Sequence, residues 1–117
     1  MRHLLPVLTL LAAPAFAQST DHSAHTGHGT PQGIPYAEAL AAANEAMHRD
    51  MGQPLTGDAD VDFIKGMIPH HQGAVEMARI VLEHGQDPEV RKLAEAVIAA
   101  QEAEIAWMKE WLAKKGQ

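Results

Sequence analysis

Two adjacent histidines, His70 and His71, lie in the run from Asp62 to Leu82, with methionines at Met67 and Met77. Both side-chain types bind metals. Thioether sulfur is soft and prefers Cu(I), while imidazole serves Cu(I) and Cu(II) alike. On a helix each residue turns about 100°. That places Phe63, Met67, His70, His71, Ala74, Met77, Ala78 and Val81 on one side, an amphipathic stripe expected to face a core. Within it Met67 and His71 are spaced i, i+4, and His70 and Met77 i, i+7. A buried imidazole must find a partner, either a hydrogen-bonding side chain or a metal ion. Met47, His48 and Met51 cluster at the end of the preceding helical pattern. Brought opposite the histidines, they would complete three or four copper ligands. Zinc suits this set less, because its sites normally use Cys, His and carboxylate.

The bland account of the same residues is a hydrogen-bonded core. Methionine at helical spacing is usually a gap-filler. Gln101 and Glu104 interrupt the apolar stripe of the last helical pattern and are the natural polar partners for His70 and His71. The same carboxylate could instead orient a metal-bound imidazole. Glu45 and His48 form a Glu-x-x-His pair, the ligand unit of di-iron bundles, but no second such pair follows it. No Ser-His-Asp or Cys-His arrangement offers a catalytic constellation.

Three helices must position these residues, an all-α fold. The first is expected over Tyr36 to Met51, presenting Tyr36, Leu40, Ala43 and Met47 on one face and stopped by Gly52 and Pro54. The second follows a cap at Asp58 or Asp60 and runs to Glu83 or His84, with Gly85 beyond it and His84 at the surface. Pro69 predicts a kink, or a break into two shorter helices. Gly66 and Gly73 on either side would let a neighbour approach closely. Asp87-Pro88-Glu89 opens the third, which runs to about Lys114 with Val90, Leu93, Ala94, Val97, Ile105, Met108, Trp111 and Leu112 as its stripe.

The chain has 117 residues, one small domain's worth. A basic start, an apolar run from Leu4 to Pro14 and Ala15-Phe16-Ala17 read as a secretory signal peptide cleaved after Ala17, which implies an exported, periplasmic protein. Residues 18–34 read as a disordered linker in which His22, His25 and His28 could capture metal weakly. The helical domain is then 35–117. Of nine basic residues only Arg2 lies in the leader, so the remainder carries eight against 15 acidic residues, net −7. That balance disfavours nucleic acid and anionic lipid surfaces as partners, and no later segment is long and apolar enough for membrane insertion. With no Cys, any soft site must use Met and His.

The M-I-P-H-H-Q-G-A core at 67–74, with A-x-Q-x-x-E-I at 99–105, resembles the DUF 305 family from about Ala42 to Leu112. The resemblance implies a ferritin-like antiparallel helical bundle, exported in bacteria, with some members tied to copper binding and tolerance. It points to Met67, His70, His71 and Met77, and to Met47 and Met51. Three readings follow. The first is a periplasmic copper-binding protein for buffering, tolerance or delivery, with a copper-handling protein as partner. The second is a metal-free interaction or scaffold module, in which a second copy completes a four-helix-type bundle through Trp107 and Trp111. The third is a di-metal carboxylate oxidase, for which few inward carboxylates qualify.

Overall fold

The computed structural model describes residues 33–117. The expected signal peptide and nearly all of the His-rich linker, with His22, His25 and His28, lie outside the described residues. Three helices follow one another, α1 (Ala37–Met51), α2 (Ala59–His84) and α3 (Pro88–Lys114), with no strand among the described residues. No described helix is long and apolar enough to cross a membrane.

The boundaries follow from local chemistry. Asp58 caps α2, its carboxylate accepting from the backbone N–H groups of Asp60 and Val61 at 3.0 and 3.2 Å. Asp62, in the first turn, ties down the incoming loop. It accepts from the Thr56 N–H at 2.8 Å, the Thr56 hydroxyl at 2.7 Å and the Gly57 N–H at 3.3 Å. The Thr56 amide and hydroxyl, then Gly57 and Lys65, hold its carboxyl below the ordinary carboxylate value. Asp87 caps α3 in the same way, with Pro88 at the first helical position. Between them, the Arg91 guanidinium donates to the carbonyls of Leu82 at 2.6 Å and Gly85 at 3.0 Å, satisfying the C-terminal end of α2. Gly85 is extended here, with φ −78° and ψ 149°, not a left-handed cap. It is small because a Cβ would meet the Val81 carbonyl oxygen at 2.6 Å.

α2 runs unbroken through Pro69, so the two-helix alternative is not realised. It is the central helix. α1 packs against it on one side and α3 on the other, and α1 and α3 make no close approach to each other. Both neighbours run antiparallel to α2. Tyr36 meets His84 and Met47 meets Gly73 on one side; His71 meets Glu104 and Lys65 reaches Gln117 on the other.

This arrangement corrects the single core-facing stripe read from α2. At about 100° per residue, Pro69, Gly73 and Ile80 share the α1 side, whereas Ile64, His71, Val75 and Ala78 share the nearly opposite side, toward α3. Phe63, His70 and Met77 recur every seven residues midway between the two sides, along the edge that α1 and α3 leave open, and all three are exposed. The buried apolar side chains are Val61, Ile64, Val75 and Ala78 of α2 with Ala94 and Met108 of α3; α1 contributes none. In α3 the expected stripe also splits, since Val90 and Leu93 are exposed while Ala94 and Met108 are buried. Close approach is required at Gly73, where a Cβ would lie 2.8 Å from Met47 Sδ, and not at Gly66, where nothing comes within 4 Å.

Candidate functional site

Each of the two helices that form the core carries a pair of candidate site side chains one turn apart. On α2 they are Met67 and His71; on α3 they are Glu104 and Met108. Residues four apart share a helix face, and the antiparallel pairing of α2 with α3 brings all four to one groove. That groove has a volume of about 210 Å³, with Ile64 also in its wall and the aromatic rings of Phe63 and Trp107 at its edges. Phe63 is 61% exposed and Trp107 58%.

His71 is the polar centre of this groove. Its side chain is 14% exposed, and Nε2 lies 2.5 Å from Oε2 of Glu104, whose own side chain is 62% exposed. A carboxylate accepts, so Nε2–H donates; in an imidazole with its single proton there, Nδ1 bears the lone pair. Nδ1 is buried and has no hydrogen-bond partner. Leaving such an atom unpaired costs about 1–3 kcal/mol. Its presence in a folded domain calls for a reason, of which an ion is one. An imidazole whose distal N–H is held by a carboxylate, with the other nitrogen free, has the arrangement of a metal-bound histidine and its orienting partner.

The remaining expected ligands do not converge on this point. His70 is exposed, its ring centroid 6.2 Å from that of His71. The two side chains leave the helix about 100° apart, so they cannot both face α3. Met77 lines a different groove, between α1 and α2, with Tyr36, Leu40, Ile80 and His84. There His84 is half-buried, 5.6 Å from the Tyr36 ring, rather than a free surface residue. Met47 is packed over Gly73 on the α1 side. Met51 is exposed, and so is His48, whose Nδ1–H donates to the Asn44 carbonyl at 2.8 Å. α1 therefore does not supply Met47, His48 or Met51 to His71, because α2 stands between α1 and α3. Gln101 is half-buried, and it is Glu104 that holds His71.

The position that sequence reasoning missed is Met108, taken only as core. The signal was present: Met-x-x-x-His on one helix and Glu-x-x-x-Met on an antiparallel neighbour line one groove with both methionines and the imidazole–carboxylate pair. Among the described residues no three His, Asp or Glu side chains gather to hold a metal. A carboxylate-rich di-metal centre therefore has no ligand set there, whereas a thioether site needs none.

Residues 60–117 match the family model described as a domain of unknown function, DUF305. The match takes in α3 and all but the first residue of α2, and begins well after Ala42. An uncharacterized protein of Acanthamoeba polyphaga mimivirus is 37% identical over 46 residues, which are 39% of this chain and 30% of that protein. The chain thus spans less than a third of the length of this relative.

Proposed function

The chain belongs to the DUF305 family through residues 60–117, and from the groove those residues build we propose that it binds copper, as Cu(I), in an exported, periplasmic setting. The role is buffering, tolerance or delivery to a copper-handling partner. The observation that carries the reading is the buried, unpaired Nδ1 of His71 in a groove whose other donors are the thioethers of Met67 and Met108.

Two sulfurs and one imidazole nitrogen form a neutral, soft donor set, which matches Cu(I) better than a hard divalent ion. Glu104 holds the ring orientation and stays outside the donor set. His22, His25 and His28 would gather metal loosely ahead of the groove, and the leader-like pattern of residues 1–17 supports export. His70, beside His71 on the open edge, is placed to meet an incoming or departing ion rather than to hold it. A second copy laid over that edge belongs to the same proposal, because Phe63 and Trp107 are exposed along it. A monomeric mass by light scattering would remove that part alone.

The test is a competition titration of residues 18–117 against a chromogenic Cu(I) chelator. One Cu(I) per chain is expected, retained when residues 18–33 are deleted. Affinity should fall by at least about tenfold in His71→Ala and in Met108→Leu, the latter a swap that keeps the core filled. Binding that vanishes with the tail and ignores both substitutions would overturn the proposal.

A further inference from the structure

Trp107 has no place in a donor set of two thioethers and one imidazole, yet it lines their groove. We propose that its indole closes the groove as a cation–π partner, so that the site takes a bare monovalent soft cation, Cu(I) or Ag(I), and discriminates against hydrated divalent ions. This rests on the metal reading of the groove given above.

Three observations support it. The ring is 58% exposed, although Trp is a costly residue to leave in water, and it stands at the edge of the groove beside Met108. Trp111, one turn further along α3, already carries a cation: Lys115 Nζ lies 5.2 Å from its ring centroid. The same helix thus uses this chemistry once for a side-chain ammonium and presents a second indole to the groove. Finally, Met67, Met108 and His71 are all neutral donors, and the groove's one carboxylate, Glu104, bonds to the far nitrogen of His71 rather than joining the set. A single positive charge is what a ring face stabilises, and Trp is the best such face. The indole would also keep water and oxidants from the open side of the ion.

Silver(I) is the probe, because it shares the softness of Cu(I) and does not change oxidation state in air. In a Trp111→Phe variant Trp107 is the sole indole. Its fluorescence should quench and its absorption shift to longer wavelength, saturating at one Ag(I) per chain. Trp107→Leu should weaken Ag(I) by about tenfold and Trp107→Phe by less. Any Zn(II) affinity should be unchanged in both, and Trp111→Phe, whose ring lies outside the groove, should leave Ag(I) binding as it was. Stoichiometric Ag(I) binding with an unchanged Trp107 spectrum and an unchanged affinity in Trp107→Leu overturns the inference and leaves the metal site standing. Absence of stoichiometric Ag(I) binding to the unsubstituted protein overturns both.

Discussion

His71→Leu separates a ligand from a structural core histidine, because the two roles give opposite signs for the stability of the metal-free domain. In that form Nδ1 is a buried, unpaired atom, a burden of about 1–3 kcal/mol that leucine removes. The loss on the other side is the hydrogen bond to Glu104. That carboxylate is 62% exposed, so water takes over its lone pairs and the bond contributes no more than about 1 kcal/mol. Leucine also places apolar atoms in the apolar wall formed by Ile64 and Met108. The net expectation is a gain of about 0–2 kcal/mol, or a rise in Tm of up to about 15 °C, at 4–8 °C per kcal/mol for a domain this small.

The assay is a far-UV circular dichroism melt in the presence of a strong chelator, repeated with Cu(I). Free Cu(I) at about 100 times its Kd adds about 2.7 kcal/mol to the unsubstituted protein and nothing to a variant that cannot bind. The order of the two melting curves should therefore invert on adding metal. A metal-free His71→Leu protein that melts more than about 5 °C below the parent would refute the reasoning. His71 would then be a satisfied member of a core polar network.

Four further outcomes follow from the same contacts. Met108, 4% exposed, should cost about 2–5 kcal/mol when cut to alanine but under about 1.5 kcal/mol when changed to leucine, in urea denaturation, although both lose the thioether. Asp62→Asn should lower Tm at neutral pH. Since the folded carboxyl titrates below its ordinary value, its stabilisation is full above that value and is lost as pH falls through the depressed one, so melts of the two proteins should merge in acid. Arg91→Ala strips the partners from the Leu82 and Gly85 carbonyls and should cost about 1–3 kcal/mol, read from the urea midpoint. Gly73→Ala should push Met47 away and loosen α1 selectively, speeding amide hydrogen exchange in Ala37–Met51 by about tenfold, with Met47→Ala restoring the slow rate.

The helices were legible almost to the residue, because their ends are written in local chemistry: Asp58, the Asp87-Pro88 pair and Gly85 act within one turn of themselves. What the sequence hid was the direction of each face. A period of 3.6 residues reports that a helix has an apolar side, but α2 is gripped on two nearly opposite sides by neighbours that do not meet. Its apolar residues therefore spread around most of the cylinder, and the stripe centred on Phe63, His70 and Met77 proved to be the open edge between two contacts. The histidine pair split for the same reason. Consecutive residues diverge by about 100°, so one of them had to leave the core, and only the partner across the groove could decide which. Glu104 decided it. The donor set is accordingly a property of two helices, not of one motif. Met67 and His71 acquire their meaning from Glu104 and Met108, 33 or more residues further along the chain. On the proposed copper reading, the choice of metal would follow from that pairing: a neutral trio beside an indole favours one positive charge, and Glu104 turns one carboxylate oxygen to the ring of His71.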